Sequence, residues 1–457
     1  MPILHRALIA LVAIALLLVA CAGETPSPSV TASASAAPTE SASPSATPSI
    51  GEVIPAPGSA SAVYAPNPGA IVVAIDAGHG GCLDWGVPDP SVRGVQLAEK
   101  TLTLGIAQRL RDLLEADGIG VLMIRDGDVA LAGDDYPDLD CHGPPWRDVD
   151  GDGNAGFEDT GRIRTRDELQ ARIDLANLAG ADALVSIHIN SPTEGGQVIE
   201  IAFSQTFYDD ETAWGADGSA GLADGLQRGI VAAIDPLTTY DRQDRGIEAV
   251  AYYAISRTWA EGDTCEVEGD TYCKPQRGLL MPSALTEVGS ISLRPEHDLL
   301  ASADGQEAVA QGLFDGLVAY FGDREVAGRI GLADQMSWSA PEAVEGNGPP
   351  FWPPGAPDGS LGLRLTNIGT ADWPAGLGLV AGWKATGQSY LPRPPDDLQA
   401  LDVEVPSLEP GESVVVTVPL PQPPSGARAV AWISLGSRGE TFADLGSPAL
   451  QLSGIAP

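Results

Sequence analysis

From about residue 69 the chain alternates between short apolar runs and longer stretches of helical period. Ile71-Val72-Val73-Ala74-Ile75 is continuous and largely β-branched, the pattern of a strand covered on both faces, as in a parallel sheet. It runs into the turn Asp76-Ala77-Gly78-His79-Gly80-Gly81. Leu102, Ile106, Leu110 and Leu113 then fall on one stripe, which predicts a helix from about 97 to 116. Gly118 closes that helix, and Val121-Leu122-Met123-Ile124 is the next strand. Thr165-Arg166-Asp167-Glu168 has the spacing of a capping box, opening a helix that runs through Leu169, Ile173 and Ala176 to Gly180. Ala183-Leu184-Val185-Ser186-Ile187 is a strand leading into His188, and Ser283-Ala284-Leu285-Thr286 is one leading into Glu287. A helix from about 306 to 321 closes the region. Strands alternating with helices predict an α/β class with a mostly parallel twisted sheet flanked by helices, spanning residues 69–323.

Beyond a linker at 324–335 the texture changes. Short alternating runs, Leu361 to Thr366, Leu377 to Trp383, Ser413 to Val418 and Ala429 to Leu435, are separated by Gly, Pro and Asn. They predict an all-β sandwich over residues 336–457. Its turns, Asn367 to Trp373 and Pro410 to Ser413, resemble those of bacterial immunoglobulin-like accessory modules. At the other end, residues 1–20 carry Arg6 ahead of the apolar run Ala7 to Ala20, too short for a membrane span and sized as a signal-peptide core. The ending Leu18-Val19-Ala20-Cys21 resembles a lipobox, which implies cleavage before Cys21 and lipidation of its thiol. Residues 21–68 are then an acylated cysteine followed by a Ser/Thr/Pro/Ala-rich tether that cannot bury enough surface to fold. A flexible tether of this length reaches roughly 40 Å root-mean-square.

The net charge of -37 argues against a nucleic-acid partner, because a phosphate backbone needs Lys and Arg on the protein. The cysteines other than Cys21 are four, Cys82, Cys141, Cys265 and Cys273. An even number in an exported chain favours disulfides. Three connectivities are open. Cys265 with Cys273 would close a short acidic loop, leaving Cys82 for Cys141.

Three potential metal ligands stand where an α/β sheet collects its ligands, beyond the carboxyl ends of strands. His79 follows the first strand and His188 follows the Ala183 to Ile187 strand. Glu99 precedes Leu102, Ile106 and Leu110 by 3, 7 and 11 positions, so it points at the core, where a carboxylate needs a partner. Two His and one Glu with an open fourth position is a catalytic zinc pattern. Glu287 would reach the same crevice, placed to act as general base and then as general acid.

In order along the chain, Val73 to Gly81, Glu99-Lys100, Ala176-Asn177 with Ser186 to Asn190, and Leu285 to Gly289 resemble the motifs of the zinc-dependent N-acetylmuramoyl-L-alanine amidase family, over about residues 69 to 322. The resemblance implies that His79, Glu99 and His188 bind zinc, that Glu287 is the catalytic carboxylate, and that the substrate is peptidoglycan. The protein would face the cell wall or periplasm, held to the membrane through its lipid anchor. Asn190 is expected to orient substrate. Ser290-Ile291-Ser292-Leu293 departs from the family's usual Phe and Ser-Asn pair after Glu287-Val288-Gly289. Two rival readings are a catalytically inactive peptidoglycan binder and a zinc peptidase acting on the stem peptide.

A second metal is expected in the insertion at 128–160. Asp148, Asp150, Asp152, Asn154 and Asp159, with Gly153 at the sixth position, have the spacing of an EF-hand calcium loop.

Overall fold

The computed structural model describes residues 71–81, 84–87, 97–132, 149, 165–210, 218–250, 252–257, 277–333, 360–386, 391, 394–419, 428–437, 440–443 and 447–455. Cys21, the tether, the other four cysteines and the calcium-loop residues Asp148, Asp150, Asp152, Asn154 and Asp159 lie outside the described residues. No described helix is long and apolar enough to cross a membrane.

The first layered unit is built on β1 (Val72–Ala77), α1 (Glu99–Ala116), β2 (Gly120–Met123), α2 (Arg166–Ala179) and β3 (Ala183–Asn190). The small hairpin β4 (Thr193–Glu194) and β5 (Gln197–Val198) follows, then β6 (Ala202–Tyr208), α3 (Gly218–Ile234), β7 (Arg242–Ala249), β8 (Ser283–Ser290), α4 (Arg294–Ala301) and α5 (Ala303–Gly322). The six-stranded sheet has the order β2-β1-β3-β8-β6-β7. β2, β1, β3 and β8 are parallel to one another. β6 joins β8 antiparallel and carries β7 parallel to itself, so the mostly parallel expectation holds with a reversed edge pair.

Alternation along the strands sorts the two faces. Val73, Ile75, Val185, Ile187, Ala284 and Val288 pack with α1, α3 and α5 residues such as Ile106, Leu226 and Leu313. Val72, Ala74, Leu184, Leu285 and Phe207 pack with Ala171, Ile173 and Ala176 of α2. His188 and Glu287 therefore stand on the α2 face, near its carboxyl edge.

Two sequence expectations are corrected. Thr165 makes no side-chain cap. The Glu168 carboxylate that would complete a capping box instead accepts from Leu131 N (2.6 Å) and Ala132 N (2.9 Å) and pairs with Arg172 (2.9 Å). The stretch at 324–335 expected as linker contains β9 (Gly328–Leu332), which pairs antiparallel with β10 (Ser360–Asn367). Its residues are fixed on both sides: Arg329 reaches the 1% exposed Asp182 at 2.7 Å, and Asp182 also accepts from Val72 N at 2.8 Å. β9 thereby seams the second unit to the end of the first sheet opposite Glu287.

That second unit adds β11 (Gly378–Ala385), β12 (Gln399–Ala400), β13 (Ser413–Pro419), β14 (Arg428–Ser437), β15 (Glu440–Thr441) and β16 (Leu450–Ile455). One sheet runs β13-β10-β9, the other β12-β11-β14 with β15 and β16 on β14. Leu363, Leu365 and Val418 of the first meet Leu379, Ile433 and Leu435 of the second around the buried Trp373, the face-to-face packing of an all-β sandwich. Trp373 donates to Ala327 O at 3.0 Å.

Candidate active site

β1, β3 and β8 each deliver one functional group to the same edge. His79 lies two residues past the end of β1, His188 lies in β3, and Glu287 lies in β8 directly opposite His188 in the parallel register. Glu99 is the first residue of α1 and is 3% exposed. Its Oε1 lies 3.2 Å from His79 Nε2 and 3.2 Å from His188 Nδ1, and accepts from Ile189 N at 2.9 Å. Its Oε2 accepts from Val87 N at 2.9 Å. The imidazole centroids are 4.8 Å apart. One ligand atom from each of His79, Glu99 and His188 fits within 4.8 Å of the others.

This spacing fits a metal. Four donors at ~2.0–2.2 Å in a tetrahedron stand ~3.3–3.6 Å from one another, close to the 3.2 Å observed on both sides of Glu99. The structure thus brings all three sequence-predicted ligands together. It also sets Glu287 beside them, with a buried Oε2 that has no hydrogen-bond partner among the described residues. Asn190 ends β3 two residues past His188, and its carbonyl accepts from Ile291 N at 2.8 Å.

Electrostatics follow from burial. Desolvation, then the neighbouring Glu99 charge, push the Glu287 carboxyl well above the usual carboxylate range. Desolvation opposes charge on His79, but the attraction of Glu99 and hydrogen bonds to Asp84 and Glu99 prevail and raise its pKa to about 10. The same two imidazoles hold Glu99 well below the usual range against its own burial.

Sequence reasoning missed the residues that hold this geometry. Asp84 Oδ1 accepts from His79 Nδ1 at 2.7 Å, fixing the tautomer that leaves Nε2 for a metal. His79 itself has φ 63°, unlike every other described non-glycine residue, a backbone choice that costs ~1–2 kcal/mol. Two buried arginines lock the turn in this form. Arg172 Nη1 donates to Asp76 Oδ1 (2.5 Å) and Ala77 O (3.0 Å), and its Nη2 donates to His79 O (2.8 Å). Arg125 donates to Ala77 O (2.8 Å), Gly78 O (3.0 Å) and Lys100 O (2.6 Å), and Thr103 adds a bond to Gly78 O at 2.9 Å. Lys100 Nζ, 1% exposed, reaches Gly81 O at 2.6 Å and Asp128 at 2.7 Å. Gly86, at φ +66°, is required on both counts: its conformation is left-handed, and a Cβ there would overlap Glu99 Oε2 and the His79 ring. A signal for Arg172 existed. It lies three residues after Leu169 and four before Ala176, a charge on an apolar stripe just as Glu99 is.

The family model described as N-acetylmuramoyl-L-alanine amidase (Amidase_3) matches residues 73–319. The chain is similar to the germination-specific N-acetylmuramoyl-L-alanine amidase of Bacillus subtilis (strain 168), 25% identical over 254 residues that cover 55% of this chain and 81% of that protein. Among solved structures it is similar to the N-acetylmuramoyl-L-alanine amidase of Clostridium difficile 630, at 24% identity and TM-score 0.37, covering 56% of this chain and 98% of the other.

Proposed function

The chain belongs to the N-acetylmuramoyl-L-alanine amidase family and hydrolyses the amide between N-acetylmuramoyl and L-alanine in peptidoglycan; we propose that it does so with zinc held by His79, Glu99 and His188 and with Glu287 carrying the proton. The observation that supports the zinc reading most is the convergence of both imidazoles on one oxygen of the buried Glu99 at 3.2 Å each, with Glu287 opposite His188.

Bound there, zinc supplies Lewis-acid polarisation of the scissile carbonyl and of the attacking water. The chain does the rest. Asp84 keeps the His79 proton on Nδ1, and the arginine-locked turn keeps the imidazole aimed. Glu287 Oε2, unpartnered among the described residues, takes the proton from water as its oxygen bonds to the lactyl carbonyl carbon. Glu287 then gives that proton to the nitrogen as the carbon–nitrogen bond breaks, leaving a muramoyl carboxyl group and the free amine of L-alanine. A buried carboxylate with an open oxygen beside the metal ligands suits a group that must both accept and return a proton. Asn190 orients the substrate at the end of β3.

The leader and Cys21 support an exported lipoprotein that faces the cell wall or periplasm. The 21–68 tether would carry the catalytic unit off the membrane, and the C-terminal sandwich, read as immunoglobulin-like, would serve as an accessory module. The calcium loop at 148–159 and the Cys82–Cys141 and Cys265–Cys273 bridges rest on the sequence and belong to the same reading. Glu287→Gln tests the chemistry. Zinc content should stay at one per chain while turnover on muropeptides falls by a factor of 100 to 10,000, the range of a lost general base. Unchanged turnover would remove Glu287 from the mechanism.

A further inference from the structure

The α2 face of the sheet carries a row of side chains that continues past Glu287. Gln205 of β6 stands opposite Glu287. On β7 the register slips between Ser204 and Thr206 of β6, which face Asp244 and Ile247, so Gln205 lies against the bulge at Arg245-Gly246. Asp244 turns to the other face, where it accepts from Gln227 of α3 at 2.6 Å. Arg245 turns to the Glu287 face. Its guanidinium lies 3.7 Å over the ring of Phe203, which alternates with Gln205 and Phe207 on that side. Arg245 is exposed, and it makes no ion pair among the described residues. The nearby Glu248 carboxylate is held by Gln205 Nε2 at 2.7 Å.

An exposed, aromatic-stacked guanidinium two strands from the general base is unusual on a chain of net charge -37. Two strand spacings are ~10 Å. A peptide extended from the scissile amide covers ~7 Å in two residues, and an arginine side chain closes the remaining gap. From this placement, and resting on the amidase reading above, we propose that Arg245 binds a carboxylate of the substrate carried by the second residue on the peptide side of the scissile amide. The peptide then runs across β8, β6 and β7, and the glycan lies on the β1 side. Phe203 holds the guanidinium plane so that little side-chain freedom is lost on binding.

The test uses the full zinc-loaded chain and two muramoyl dipeptides, N-acetylmuramoyl-L-alanyl-D-glutamate with its γ-carboxyl capped as an amide and its α-carboxyl either free or amidated. A charge-assisted bond predicts that the free carboxylate binds and reacts roughly 10- to 100-fold better. Dissociation constants are measured on Glu287→Gln, whose turnover is slow enough for binding to equilibrate, and kcat/KM on the chain with Glu287 intact. Arg245→Gln should abolish the preference, chiefly through KM, while leaving the amidated substrate's kcat/KM unchanged; Arg245→Lys should retain part of it. Equal dissociation constants for the two dipeptides, or equal losses on both in Arg245→Gln, would overturn the proposal. A binding preference without cleavage of either dipeptide would support the Arg245 site and count against the amidase mechanism alone.

Discussion

Replacing Arg172 by Met should unlatch the metal-binding turn from behind. Arg172 and Asp76 are both nearly buried, with side chains 3% and 2% exposed, and the arginine also serves Glu168, Ala77 O and His79 O. Methionine fills most of the volume but leaves the buried Asp76 carboxylate with the Ser186 hydroxyl and no ion-pair partner among the described residues. Removing one partner of a buried pair costs ~3–5 kcal/mol, a large part of the ~5–15 kcal/mol that stabilises a typical domain. The His79 carbonyl loses its donor as well. Urea unfolding of the metal-free chain at pH 7 measures the loss, and zinc titration of the folded variant should show weakened affinity because one of the two arginines that lock the turn, the one bonded to His79 O, is then gone. The pH dependence carries a definite sign. Burial would raise the Asp76 pKa, but Arg172, the Ser186 hydroxyl and His188 outweigh it, so the folded value lies below 3.8. The pair's stabilisation is therefore present above pH 3.8 and is lost as pH falls through the folded value. The gap between wild type and Arg172→Met should close on acidification, and Asp76→Asn in the Arg172→Met background should recover much of it at pH 7. A loss under ~1 kcal/mol at pH 7, or a gap independent of pH, would refute the idea that this pair holds the turn.

Two further outcomes follow from the same site. Gly86→Ala combines a left-handed backbone with a Cβ that meets Glu99 and His79; it should lower zinc affinity at least tenfold by competition titration while the far-ultraviolet circular dichroism stays native, and wild-type affinity would contradict the packing. In the metal-free chain His79, at about pKa 10, is protonated at neutral pH, and a ligand must give up that proton. Zinc binding at pH 7.5 should therefore release protons, seen as a calorimetric enthalpy that varies with the ionisation enthalpy of the buffer; buffer-independent heat would contradict the charge state assigned to the triad.

What the sequence disclosed and what it hid divide along a physical line. β1, β3 and β8 were legible because strands covered on both faces are continuously apolar, and His79, His188 and Glu287 because they follow such runs. Glu99 was legible as a charge on an apolar stripe. α3 was not, because glycines at 218, 221, 225 and 229 weaken any helix signal. They are tolerated because α3 crosses α5 almost backbone to backbone: a Cβ on Gly225 would stand 2.8 Å from Gly316 O. β7 was hidden by its exposed, polar, bulged edge, and β9 because a five-residue strand is defined by its partner β10 rather than by its own pattern. Arg125 and Asp84 act only through contacts closed by the fold, Arg125 on carbonyls 47 and 48 positions away, which no local pattern announces.

The most direct test of the account is mass spectrometry of purified muropeptides digested by the zinc-loaded chain, with Glu287→Gln as control. The account predicts stem peptides released with a free L-alanine amine and glycan bearing an intact lactyl carboxyl group, one water added across that single bond, and both products formed at least 100-fold more slowly by Glu287→Gln. Cleavage within the stem peptide, or intact muropeptides after incubation with a folded chain carrying one zinc, would contradict it.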